Sequence, residues 1–157
     1  MNMPQHAVVL LVEDRDDDVL LVRRAFVAGS IPNPLFVVSN GKEAIDYLDS
    51  VGKFANRSEY PLPDLILLDL TLPQVTGFDV IRHIRSKPGL KGLRLIVLTS
   101  SERIADVNQA YDLGANSYLV KPQEFEDFKH MIRVLAAFWL QYDRPPLAVR
   151  PRPLPLE

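Results

Sequence analysis

The stretch Leu65-Ile66-Leu67-Leu68-Asp69 decides how the rest of the chain is read. A strand with one wet face alternates apolar and polar residues. Four aliphatic residues in succession fit a strand covered on both faces, as in a parallel sheet. Working outward, two further runs have the same character, Ala7-Val-Val-Leu-Leu-Val12 and Leu93-Arg-Leu-Ile-Val-Leu98, and two weaker ones are Leu35-Phe-Val-Val38 and Ser117-Tyr-Leu-Val120. Helical patterns separate them. One opens on Asp16-Asp-Asp18, carries Arg23-Arg24 and closes at Gly29, so its charges oppose the helix dipole. A second runs from about Lys42 to Leu48. A third begins at Thr76 with Asp79 three residues on, in the form of a capping box. A fourth follows Ser100-Ser101-Glu102, with Ile104, Val107 and Tyr111 on one face, and a fifth follows Pro122 and runs to about Gln141. Five strand–helix alternations predict an α/β fold, a doubly wound five-stranded parallel sheet with helices on both faces.

The composition agrees with one globular domain. The chain has 157 residues, 47% of them hydrophobic and 24% charged, long enough to bury a core without disulfides or metal. Cysteine is absent, which excludes thiolate chemistry and cysteine metal sites and suits a reducing compartment. A net charge of −2 gives no sign of nucleic-acid binding. No run approaches the roughly 18 apolar residues of a membrane span, and the start lacks the basic region of a signal peptide. A cytoplasmic protein is expected. Of the 13 prolines, Pro145, Pro146, Pro151, Pro153 and Pro155 crowd the last thirteen residues. The expected division is a domain over 1–141 and a proline- and arginine-rich tail over 142–157, too short for an effector domain.

In a doubly wound sheet, ligands sit at the carboxyl ends of the strands. Here the first strand ends in Glu13-Asp14, the third in Asp69, the fourth in Thr99 and the fifth in Lys121-Pro122. Taken singly, each has an ordinary explanation: an Asp after a strand is usually a helix cap, and a Lys there is usually solvated. Together they place three carboxylates, a hydroxyl and an ammonium on one edge. Two carboxylates about 4 Å apart repel by about 4 kcal/mol at an effective dielectric of 20, so cations are needed. Lys121 supplies one charge, and a hard divalent cation such as Mg²⁺ suits an all-oxygen set. Such a set points to phosphoryl chemistry, with Asp69 as nucleophile, Lys121 and Mg²⁺ neutralising the phosphoryl oxygens, and Thr99 bonding the product.

These residues, each after its strand, together with Leu68-Asp-Leu-Thr-Leu-Pro73 and Gly77, resemble the receiver domain of two-component response regulators over about residues 7–141. The resemblance implies the flavodoxin-like strand order 2-1-3-4-5. It implies that Asp69 accepts a phosphoryl group from a histidine kinase, and that Mg²⁺ is held by Asp14, Asp69 and the backbone carbonyl of Thr71, with Glu13 acting through water. It further implies Thr99 and Tyr118 as a switch pair, a cis Lys121-Pro122 bond, and a self-phosphorylating switch rather than an enzyme. Two departures are visible. Glu13-Asp14 stands where many members carry two aspartates, and Thr76 precedes Gly77 where Asp is frequent, which alters a helix cap and not the chemistry.

Rival readings are weaker. A haloacid-dehalogenase-type hydrolase needs a second Asp at the position of Thr71. No Gly-rich nucleotide motif is present. His6, His83 and His130 lack metal-site spacing. A receiver fold that is never phosphorylated is opposed by the full set of key side chains. The last helix carries Phe125, Phe128, Ile132, Leu135, Trp139 and Tyr142 as one seam, and Met131, Val134 and Phe138 as a second stripe. One stripe covers a sheet. The second is buried within the same domain, or packs on another copy in a homodimer; the tail, whose proline content favours an extended form, is a disordered end or an arm docked on that second copy. The long segment 50–63, the Phe138-Trp-Leu140 helix end and the tail resemble the small response regulators paired with bacterial phytochromes. That likeness implies a phytochrome as the kinase, with no membrane or nucleic-acid partner.

Overall fold

The computed structural model describes residues 6–144. Five parallel strands, β1 (Val9–Val12), β2 (Leu35–Val38), β3 (Leu65–Leu68), β4 (Arg94–Thr99) and β5 (Ser117–Val120), lie in the order β2-β1-β3-β4-β5. Between and after them run α1 (Asp16–Ala28), α2 (Gly41–Asp49), α3 (Gly77–Ser86), α4 (Ile104–Leu113) and α5 (Phe125–Ala136). This is the expected fold.

The continuous aliphatic runs now have a physical reason. Alternate residues of each central strand serve different layers. Leu10, Val12, Ile66, Leu68, Leu95 and Val97 pack with Ala44, Leu48, Val80, Ile84 and Ala110 from α2, α3 and α4. Val9, Leu11, Leu65, Leu67, Ile96 and Leu98 pack with Val22, Phe26, Phe128, Ile132 and Leu135 from α1 and α5. A polar residue at either register would enter a core and cost a few kcal/mol unless bonded.

Local chemistry sets the element ends. The Thr76–Asp79 capping box forms: Asp79 N donates to Thr76 Oγ1 at 3.2 Å, and Thr76 N donates to Asp79 Oδ2 at 3.0 Å. Asn40 caps α2 by accepting from Glu43 N at 2.8 Å. Segment 50–63 is tied down. Phe54 sits between the rings of Tyr47 and Tyr60, with centroids 5.3 and 5.1 Å away. The Arg57 guanidinium donates to the carbonyls of Tyr47 at 2.8 Å and Leu48 at 2.7 Å, satisfying the last turn of α2.

Two expectations need correction, and one gains a direction. Ile104, Val107 and Tyr111 share a face of α4 as expected, and its ends look outward: Ile104 is 77% and Tyr111 47% exposed, while the helix buries Ala110. A small residue lets α4 lie close to the sheet, with Leu113 packed on the same core and Ile104 and Tyr111 on the far side. The last helix is α-helical only to Ala136 and continues as a π-helical segment over Ala137–Tyr142, closed by Asp143 N donating to Phe138 O at 2.7 Å. The wider turn breaks the seam, so Tyr142 points to solvent while Trp139 stays against the core. The Lys121–Pro122 bond is trans, like every peptide among the described residues; trans is favoured by about 0.5–1 kcal/mol at such bonds, and Lys121 makes its ion pairs with the bond in that form.

Asp143 pairs with Arg94 at 2.8 Å, and the guanidinium lies 5.9 Å from the Trp139 ring centroid. The folded chain therefore reaches past the boundary expected at 141. Of the tail expected over 142–157, residues 145–157 lie outside the described residues.

Gly77 matters to the site because the start of α3 lies on the loop after β3. A Cβ at Gly77 would stand 2.5 Å from Asp69 O and 2.6 Å from Leu70 Cα, both backbone atoms that cannot turn away. Gly77→Ala should destabilise by about 2 kcal/mol through overpacking, read as a lowered urea midpoint with an unchanged slope.

Candidate functional site

The sheet topology brings the ends of β1, β3, β4 and β5 together. Glu13 is 2%, Asp69 5% and Thr99 0% exposed, and these three are the buried polar side chains among the described residues. Such groups persist in an apolar fold only when bonded, and each of them is. Thr99 Oγ1 donates to Asp69 Oδ1 at 2.8 Å, and Thr71 N donates to the same oxygen at 3.1 Å. Lys121 Nζ donates to Asp69 Oδ2 at 3.2 Å, to Glu13 Oε2 at 2.5 Å and to Asp18 Oδ2 at 3.1 Å. Arg15 N donates to the other Glu13 oxygen at 3.1 Å. The two oxygens of Asp69 thus face different donors.

Burial pushes the Glu13 carboxyl up to about 7 against the pull of the Lys121 ammonium. For Lys121, burial favours the neutral amine, but the hydrogen bond to Glu13 and the charges of Asp69 and Glu13 outweigh it and hold the ammonium above its ordinary value. Glu13, Asp14 and Asp69 each offer a carboxylate oxygen, and the three atoms lie within 4.8 Å of one another. Asp14 is exposed and the other two are buried. This hard, all-oxygen set fits a divalent cation, and the exposed member leaves it open to solvent. An open cleft of ≈ 610 Å³, lined by Ser100, Glu102, Val120, Lys121, Pro122 and Gln123, lies alongside.

Tyr118, on edge strand β5, is linked to the loop after β4: its hydroxyl donates to Ser101 O at 2.9 Å. Ser101 Oγ donates to Asp106 Oδ2 at 2.6 Å, and the Tyr111 hydroxyl accepts from Tyr118 N at 3.1 Å. The sequence-predicted site residues fall on this edge, except that Tyr118 lies inside β5, opposite Val97 and two residues before the strand end. Sequence reasoning missed Asp18, read as a helix-dipole residue, and Tyr111, placed only on one face of the fourth helix with Ile104 and Val107. The signal for Asp18 was its place one turn past Asp14 at the start of a helix that follows the acidic strand end.

Lys121→Met should cost about 3 kcal/mol, because it leaves buried carboxylates without their cation. Glu13 would then lie further above its present value of about 7. A carboxyl raised in the folded state favours folding at low pH, so the deficit is greatest above pH 7 and shrinks as pH falls. Urea unfolding in chelator across that range measures it, and a divalent cation should recover part of the loss.

Comparison with known proteins gives a consistent result. The family described as Response regulator receiver domain matches residues 9–133. The probable methanogenesis regulatory protein FilR2 of Methanothrix harundinacea is 37% identical over 139 residues, 88% of this chain and 87% of that protein. The response regulator Rcp1 of Synechocystis is 37% identical over 134 residues, 85% of this chain and 89% of its own length. The Mn²⁺-bound form of Rcp1 superposes with a TM-score of 0.80 at 35% identity, over 89% of this chain and 99% of that one. The phosphorylated cyanobacterial phytochrome response regulator RcpA gives a TM-score of 0.83 at 35% identity, over 90% and 99%.

Proposed function

The chain belongs to the response regulator receiver family, and on that premise we propose that it is a single-domain switch that accepts a phosphoryl group on Asp69 from a histidine kinase. The observation that carries this reading is a buried carboxylate with Thr99 on one oxygen and Lys121 on the other. An Asp69 oxygen attacks phosphorus. The new O–P bond forms as the donor's P–N bond breaks, and that electron pair goes to the histidine ring. Lys121 neutralises charge on the phosphoryl oxygens, and Thr99 turns its hydroxyl from the carboxylate to a phosphoryl oxygen. We assign Mg²⁺ to the acidic cluster, held by Asp14, Asp69 and the Thr71 backbone carbonyl, with Glu13 acting through water; when bound, it supplies positive charge to the same oxygens. The cleft beside Lys121 gives the donor its approach.

Phosphorylation adds about −1.5 to −2 charge at this edge. As the Thr99 hydroxyl shifts, Tyr118 leaves Ser101 and turns inward, freeing the loop before α4. The changed surface is the signal, read by other proteins and not by nucleic acid. Acceptance and loss of the phosphoryl group are catalysed by the chain on itself, so it is a switch and not a turnover enzyme. Cytoplasm suits that role, and no helix among the described residues is long and apolar enough to cross a membrane. A phytochrome-type kinase is the proposed donor, supported by the likeness to RcpA. On α5 and its extension, Val134 and Phe138 are 54% and 55% exposed while Phe128, Ile132 and Leu135 of the first seam are buried, which favours a homodimer through this face together with the tail.

Incubation with Mg²⁺ and a small acyl phosphate should add one phosphoryl mass to the wild-type chain and none to Asp69→Asn. Equal labelling of both would reject Asp69 as the acceptor. Light scattering should give a dimer for wild type and a monomer for Phe138→Glu, because the new charge faces the proposed partner copy; a monomer in both would remove the dimer.

A further inference from the structure

An ammonium has three N–H donors, and Lys121 has spent all of them, on Glu13, Asp18 and Asp69. None is left for an incoming phosphoryl oxygen, so one bond must open. The Glu13 carboxylate is 1% exposed, and breaking that bond strands a buried charge. Asp69 is the reacting group itself. Asp18 differs from both. It lies on the first turn of α1, its side chain is 22% exposed, and it can turn to water and toward Arg15, whose Nε is already 3.7 Å away.

Resting on the phosphoryl-accepting reading above, we infer that Asp18 is a positioning residue that parks one N–H of Lys121 until a phosphoryl group arrives, and so restrains phosphorylation of the resting protein. Asp18 touches neither donor nor metal ligand in this role; it acts through Lys121. Without it, Lys121 turns its spare N–H to Asp69 and to the donor. Two opposite effects follow. The phosphoryl oxygens meet a cation with a free donor, which speeds transfer. The divalent cation meets an Asp69 held more tightly by ammonium, which weakens metal binding.

The test measures Mg²⁺ affinity by calorimetry without any donor, and the rate of labelling by an acyl phosphate at saturating Mg²⁺. Asp18→Ala should label about three-fold faster or more and bind Mg²⁺ about two-fold more weakly or more, the order expected for losing one partly exposed ion pair to Lys121. Asp18→Glu, which keeps the charge, should restore wild-type values. In a Lys121→Met background, Asp18→Ala should change neither quantity. An unchanged or slower rate, an unchanged affinity, or equal effects with and without Lys121 would each overturn the role of Asp18 while leaving Asp69 as the acceptor. Absence of labelling in wild type would remove both readings.

Discussion

The ammonium of Lys121 is the point on which the site depends. A sheet covered on both faces has little place for charge except at its ends, and the parallel topology gathers the carboxyl ends of four strands onto one edge. Glu13 and Asp69 are buried there and Asp18 is partly so. Their mutual repulsion would open the edge if Lys121 did not bond all three. Charge pairing of this kind is poor evidence for stability, since apolar replacements often do as well or better. Its presence where the buried polar side chains of the described residues gather is better explained by chemistry that needs the carboxylates.

The same bonds set up the path by which this edge reaches the surface. Thr99 joins Asp69 to the end of β4, and Tyr118 joins β5 to the loop that follows β4. Tyr111 then fastens α4 to the backbone of β5 by accepting from Tyr118 N. A change at Asp69 that recruits the Thr99 hydroxyl therefore acts on a loop already fixed by one tyrosine and next to a helix fixed by another. The outward Ile104 and Tyr111 lie on that helix, so its exposed apolar surface is next to the loop. These named contacts are the ones the proposed switch would have to exchange.

Much of this was legible because the determining patterns are local. Each aliphatic run is a strand since both of its faces enter cores, and the caps at Thr76 and Gly29 are short-range chemistry. The strand-end residues were legible because topology alone places them together. What escaped depended on distances between elements. Ile104, Val107 and Tyr111 read only as one face, because periodicity reports which residues share a face and not which way it looks; the small Ala110 decided that. The π-helical segment at Ala137–Tyr142 hinges on where Trp139 and the Arg94–Asp143 pair sit against the sheet. Asp18 read as a helix-dipole residue, which it also is, because its bond to Lys121 spans 103 positions.

The apolar excess at the end of the chain follows from the same logic of faces. In α5, Phe128, Ile132 and Leu135 complete the layer that α1 begins. That layer is then closed, so Val134 and Phe138 have no core left to enter. Were they incidental, neighbouring charge would be expected to keep the face soluble, yet 134–140 contains none. The Phe138 and Trp139 rings meet edge to face, 4.9 Å apart at 81°. Trp139 is itself held by the core and by Arg94, so Phe138 is presented by a fixed neighbour. A surface aromatic ordered in this way loses little further entropy on being covered, which is the physical condition a protein contact needs.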